Sequence, residues 1–246
     1  MSLPVFLSGS VAHASPGATV VLDGDEGRHA ATVKRIRVGE EIVLTDGAGA
    51  SATCTVTGAG KASLTVRVDQ VAYADRAAPH VTVVQAIPKG DRGELAVEML
   101  TEVGADVIVP WGASRSVAVW RGERAAKSLA RWRSTAREAA KQSRRAWFPE
   151  VPDMVRTPDV VALLRDAALS VVLHETGTDP LAAVEVPAEG DVVVVVGPEG
   201  GISDDELTAF AEVGGRPLRL GSSVLRTSTA GVAAAAVLLS RTKRWS

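Results

Sequence analysis

A single cysteine, Cys54, stands in a chain of 246 residues. That excludes an internal disulfide and any cysteine-rich zinc site. The four histidines (His13, His29, His80 and His174) are scattered, with no HExxH or HxH spacing, so no metal centre is expected. No apolar run approaches the roughly 18 residues of a membrane span. The longest, Gly231–Ser240, is short and mostly alanine. The opening MSLPVFLSGS lacks both a basic stretch and a long apolar stretch, so no signal peptide is expected. A cytoplasmic location fits these absences. No GxGxxG follows a strand and no Walker A motif is present, which leaves dinucleotide and P-loop chemistry unsupported. No internal repeats or low-complexity segments interrupt the chain.

The hydrophobic fraction is 46% and the charged fraction 23%, ordinary for a folded protein with a sizeable core. Net charge is −2, but it is unevenly spread. Between Ser114 and Arg145 ten Lys/Arg face two acids, whereas Val151–Gly215 holds two Arg and thirteen Asp/Glu. Such a basic segment either meets a polyanion or pairs with the acidic half. Charge alone does not choose between them.

Residues 1–75 read as β. ATVVLDG, EEIVLTDG, ASATCTVTG and ASLTVRVDQV are short β-branched runs divided by Gly and Asp turns, the pattern of a small barrel or sandwich. Ala74–Pro79 reads as a linker. From residue 79 to 246 strands and helices alternate. HVTVVQAI, DVIVP, LSVVLHE, DVVVVVG and PLRLG read as strands. Helices are expected over 90–104, with Leu95, Met99, Leu100 and Val103 on one face, and over 123–146, 159–168, 204–212 and 229–243. Alternation of this kind implies a mostly parallel sheet covered by helices. The fold class is therefore a small β domain followed by an α/β domain.

Two loops stand out. In VVVVVGPEGGISDDE (Val192–Glu206) a buried strand runs into Gly-Pro-Glu-Gly-Gly, where glycines permit positive φ and a close backbone approach. Ser203 and Glu206 form a capping box for the next helix. Glu199 has no such local role, and a carboxylate there needs a partner or an open cleft. In LGSSVLRTSTA (Leu220–Ala230) another strand end opens a helix, with Thr227 or Ser228 as its cap and Arg226 as a lone cation. Ligands of open α/β sheets bind beyond such strand ends. A plain turn explains either loop taken singly, with Arg226 paired to a surface acid.

Together, GPEGGIS…E and LGSSVLRTSTA resemble the signature of SPOUT-class RNA methyltransferases. The chain is most similar to the RsmE family, which methylates uridine N3 in small-subunit (16S) ribosomal RNA. VKRIRVGEEIVLTDGAG (Val33–Gly49) resembles that family's barrel motif. PKGDRGELAVEMLTEVGADVIVPWGASRS (Pro88–Ser116) resembles its first βαβ unit, and REAAKQSRR…P (Arg137–Pro149) a helix end. Lys34 stands where the barrel motif is usually apolar, and Lys141 where an acid is common. The resemblance covers nearly the whole chain, in order.

The resemblance implies a PUA-like barrel over 1–75 that binds RNA and, over 79–246, an α/β domain tied in a trefoil knot. It also implies a homodimer acting in ribosomal RNA processing and ribosome biogenesis. S-adenosylmethionine would be held by Leu173, Gly197, Pro198, Glu199, Gly200, Gly201, Leu220, Gly221, Ser222, Val224, Leu225 and Thr229. Glu199 would face the ribose, the methionine amine or the target base. Uridine N3 must lose a proton before it attacks, so a stabiliser of the anion is needed. Arg226 suits that role, and Glu199 suits the role of proton acceptor. Phosphates would be gripped by Arg28, Lys34, Arg35, Arg37, Lys89, Arg92 and Arg115. Trp111, Trp120, Trp132 and Trp147 read as core or dimer contacts rather than base-stacking platforms. Two other readings are a ribose 2′-O methyltransferase sharing the loops without the barrel motif, and an RNA-binding module without catalysis.

Overall fold

The fold is that of a computed structural model, and the structure describes residues 3–245. It divides into two compact units: one up to Arg76 together with Ala140–Phe148, the other Ala77–Ala139 together with Pro149 onward. Residues 140–148 thus join the first unit, although nothing in their sequence separates them from the α/β part.

In the first unit, β1 (Val5–Leu7), β2 (Thr19–Leu22), β3 (Glu41–Thr45), β4 (Ala50–Ala59) and β5 (Leu64–Tyr73) form one sheet ordered β1-β3-β4-β5-β2. Among the described residues no ladder joins its edges, β1 and β2. Between the runs read as β2 and β3 the all-β reading of this part misses a helical segment over 24–33. There α1 (Gly24–Arg28) runs into a wide helical turn, His29–Val33. It buries Gly27 and Ala30 and leaves Asp25 and Arg28 in solvent, a helical spacing that a strand cannot reproduce. Along β4 the side chains alternate as the pleat requires, with Ala50, Ala52, Cys54 and Val56 facing Phe6, Ile42, Leu44 and Val66. Burial, helped by the nearby Asp69 charge, pushes the Cys54 thiol up to about 11, which keeps it protonated and unreactive at neutral pH. Lys141 is buried, and its Nζ lies 2.7 Å from Glu26 Oε1, while Glu26 Oε2 accepts the Leu7 amide at 3.1 Å. A lysine where an acid is common therefore neutralises a half-buried carboxylate.

The second unit is built on β6 (His80–Ala86), β7 (Val107–Trp111), β8 (Leu169–Leu173), β9 (Asp179–Pro180), β10 (Asp191–Val196) and β11 (Arg216–Arg219). All six are parallel, in the order β7-β6-β10-β8-β11-β9. The helices are α2 (Arg92–Val103), α3 (Gly122–Gln142), α4 (Thr157–Asp166), α5 (Asp204–Ala211) and α6 (Thr227–Leu239). The five valines of β10 feed two cores. Val192, Val194 and Val196 pack with Val97, Leu100, Trp132 and Leu238, and Val193 and Val195 with Val160, Leu164 and Phe210. A strand buried on both faces has no polar position, hence the uninterrupted run.

Helix α2 turns part of the expected face inward, Leu100 with the half-buried Val103, but not Leu95. Ala96, Val97, Leu100 and Thr101 are buried, while Leu95 is 45% exposed. Trp111 and Trp132 are core residues, Trp120 packs edge-on against Trp132 at 5.1 Å, and Trp147 donates its indole N–H to the Ala74 carbonyl. The basic segment is divided in use. Arg133 pairs with Asp153 at 3.0 Å, whereas Arg121, Arg124, Lys127 and Arg137 make no ion pair among the described residues.

Candidate active site

Parallel strands deliver their C-terminal ends to one edge of the sheet. The segments after β8, β10 and β11 meet there around a cleft of about 680 Å³. Every residue expected to hold a cofactor lines it except Thr229. Thr229 lies in the first turn of α6, where its hydroxyl donates to the Arg226 carbonyl. Its neighbour Thr227 lines the cleft instead. Neither Thr227 nor Ser228 is the N-cap: α6 begins at Thr227, with Arg226 in the cap position. The buried Thr227 hydroxyl donates to the Gly197 carbonyl at 2.8 Å and accepts from Gln85 Nε2 at 3.0 Å. It thereby ties the glycine turn to β6 and α6, a role that its capping signal hides.

The glycines serve distinct ends. Gly201 and Gly221 sit at φ +75° and +77°, conformations that side chains disfavour. At Gly200 a Cβ would come within 2.9 Å of the Arg115 carbonyl oxygen, so only glycine lets the 113–116 segment lie on the turn. Arg115 lines the cleft too, and its Nη1 donates to the Ile202 carbonyl at 3.4 Å.

Glu206 fastens that segment. It caps α5 with Ser203 as expected, but its buried carboxylate also accepts the Ser114 amide and hydroxyl and the Thr157 hydroxyl, at 2.8–3.0 Å. Burial by itself raises this carboxyl. The Ser114 and Ser203 amides and then their hydroxyls outweigh it, holding the group below its ordinary 4.5. Glu206→Gln turns an NH₂ toward one of the two backbone amides, at an expected cost of about 2 kcal/mol near neutral pH. Since the folded carboxyl titrates lower than the unfolded one, this stability is full above the ordinary value and is lost as pH falls through the depressed one. Thermal melts of parent and variant should therefore differ at pH 7 and converge in acid.

Glu199 and Arg226, 27 positions apart in sequence, line the same cleft and are both exposed. Glu199 Oε1 accepts the Lys89 amide at 3.2 Å. Arg226 makes no ion pair among the described residues, so the surface pairing that would explain it away is not found. Of the cations expected to bind RNA, Arg92 and Arg115 line this cleft and Lys89 borders it through Glu199. Lys34, Arg35 and Arg37 are exposed on the first unit, and Arg28 lies 3.8 Å from Asp25. The described residues contain no group of three or more His, Cys, Asp or Glu poised for a metal.

A glycine-walled cleft stands at the ends of a parallel sheet in a chain with a separate β unit, and the sequence of each part matches a known RNA methyltransferase domain family. Residues 76–239 match the RNA methyltransferase domain family, and 22–69 the RNA methyltransferase PUA domain. The chain is 48% identical, over 93% of its length and 89% of the relative's, to ribosomal RNA small subunit methyltransferase E of Mycobacterium bovis. It shares its fold with the same-named enzyme of Neisseria gonorrhoeae bound to S-adenosyl methionine (TM-score 0.87, 30% identity, 97% and 98% of the chains). A methyltransferase of Legionella pneumophila in complex with SAM is similarly close (TM-score 0.88, 28% identity, 98% and 99%). The chain belongs to the ribosomal RNA small subunit methyltransferase E family.

Proposed function

We propose that this protein transfers a methyl group from S-adenosylmethionine to N3 of a uridine in small-subunit ribosomal RNA. One observation carries the reading: a single cleft joins both glycine-bearing loops, the Glu199 carboxylate and the unpaired Arg226 guanidinium. The cleft suits the cofactor. Its volume falls within the ~300–1,000 Å³ of small-molecule sites. Leu173, Leu218 and Leu220 give an apolar wall, while Gly197–Gly201 and 220–225 present main chain. Three carboxylates (Glu175, Glu199 and Asp204) and four arginines (Arg92, Arg115, Arg219 and Arg226) line it, so both signs of charge are at hand for a ligand that carries a sulfonium, an ammonium and a carboxylate.

When bound, S-adenosylmethionine supplies an electrophilic methyl group on a sulfonium, whose bonding pair stays with sulfur. Glu199 takes the N3 proton, its carboxylate held by the Lys89 amide. Arg226 stabilises the negative charge left on the uracil; a guanidinium is no base at neutral pH. The cations Arg28, Lys34, Arg35 and Arg37 of the PUA unit, with Lys89, Arg92 and Arg115, hold the RNA backbone. The reading extends to the trefoil knot, to a homodimer, to action in the cytoplasm, and to a division of labour between residues 1–75 and 79–246.

The test is transfer of labelled methyl to small subunits lacking the modification and to the same RNA stripped of protein. Nucleosides are then identified by mass spectrometry. Label in N3-methyluridine is expected. Label in a 2′-O-methyl nucleoside would overturn the target atom while keeping the class.

A further inference from the structure

Gln85 lies near the end of β6 with 0% of its surface exposed, although the positions around it, Val83, Val84, Ala86 and Ile87, are apolar. Both hydrogens of its amide are used. Nε2 donates to the Ala86 carbonyl at 3.1 Å and to Thr227 Oγ1 at 3.0 Å. Its Oε1 is buried and meets no donor among the described residues. An acceptor left unmet in a dry core costs free energy that an apolar side chain of the same length would not. Stability therefore does not account for an amide at this position.

The hydrogen bonds run in one direction. The Ala86 carbonyl can only accept, so the amide turns its nitrogen toward that carbonyl and toward Thr227. Thr227 is left to use its single hydroxyl hydrogen on the Gly197 carbonyl, at 2.8 Å. Gly197 opens the glycine turn after β10, and Thr227 begins α6 directly after Arg226. One relay from β6 thus grips both loops of the cleft from the core side. We propose that Gln85 is a positioning residue for methyl transfer: through Thr227 it fixes Arg226 against the glycine turn, and so the stabiliser of the anion against the methyl donor. The proposal rests on the reaction proposed above. Transfer needs the methyl group, N3 and the group that meets the developing charge in one alignment, and a small misplacement is expensive. β6 is a firm anchor, being hydrogen-bonded along both edges, to β7 and to β10. Gln85 itself does not line the cleft, so its effect travels through Thr227.

Gln85→Met tests this. It keeps the length of the side chain, removes the unmet acceptor and cuts the relay. Its melting temperature should match or exceed the parent's. With small subunits lacking the modification as substrate, kcat per cofactor-binding molecule should fall about 10- to 100-fold. Titration calorimetry with S-adenosylmethionine counts those molecules and should show little change in affinity. Thr227→Val keeps the shape without the hydroxyl and should repeat the loss; Thr227→Ser should recover most of it. On an Arg226→Ala background Gln85→Met should cost little more, because no guanidinium is left to place. Parental kcat in Gln85→Met would overturn the proposal, whatever the melting temperature. So would cofactor affinity that falls in step with the rate, or a full second loss on the Arg226→Ala background. A parent protein that binds the cofactor yet methylates no RNA brings down the reaction itself, before any variant is made.

Discussion

Arg226→Ala should lower kcat for methyl transfer by about 10²–10³-fold, the usual cost of removing one preorganised group that faces developing charge. Its position explains the size. The Arg226 backbone is fixed by the start of α6, where its carbonyl accepts the Thr229 and Ala230 amides and the Thr229 hydroxyl. The side chain leaves that anchored point toward the cleft with no carboxylate to hold it elsewhere. Its exposed guanidinium is thus at hand to meet the charge as the uracil becomes anionic. Binding of S-adenosylmethionine, followed by calorimetry, should change little, so the loss falls in kcat rather than in cofactor affinity. Arg226→Lys keeps the charge but not the planar fork, and should recover only part of the rate. The variant should also gain more from alkaline pH than the parent does, because hydroxide then removes the proton that Arg226 no longer helps to release. A fall in cofactor affinity with kcat unchanged would instead make Arg226 a cofactor-binding residue.

Arg244→Ala should destabilise the α/β unit by about 3–5 kcal/mol, the cost of stranding a buried charge. For a unit of this size that lowers its melting temperature by roughly 10 °C. Arg244 lies on the segment after α6, and its guanidinium makes a two-point contact with Asp106, at the start of β7. It also donates to the Pro79 and Gly104 carbonyls at 2.9 and 2.8 Å. Asp106 is only 5% exposed, and it also accepts the Val81 amide at 2.9 Å. Without Arg244 that carboxylate keeps its amide but loses its counter-charge in a dry site. The double variant Asp106→Ala/Arg244→Ala should be less destabilised than the sum of the single ones, because no charge is left unpaired. Strict additivity in thermal melts would show that the pair is not coupled.

Much of this architecture lay on the surface of the sequence. Alternating β-branched runs gave the first sheet four of its five strands, β2 to β5, and the valine run gave β10, because pleat and burial act over a few residues. Ser203 and Glu206 declared the start of α5 for the same reason: a capping box closes within one helical turn. The helix at 24–33 was hidden because two of its residues toward the core are only Gly27 and Ala30, too small to mark a period. The buried face of α2 was read only in part for a related cause: Leu100 and Val103 belong to it, Leu95 does not. Ala96 and Thr101 carry less hydrophobic signal than Leu95 and Met99, yet they are what fits beneath the neighbouring layer.

By itself, the sequence determined most strands of the first sheet, the alternating α/β pattern of a parallel sheet, and the two glycine-bearing loops at strand ends. Only the tertiary structure decided what those loops face. Glu206 meets Ser114 across 92 residues, Glu199 meets Lys89 across 110, and Arg244 meets Asp106 across 138. No local propensity encodes such pairs. They exist because parallel strands carry distant loops to one edge of the sheet and distant strand starts to the other, and because a carboxylate removed from water must find its donors wherever the fold brings them.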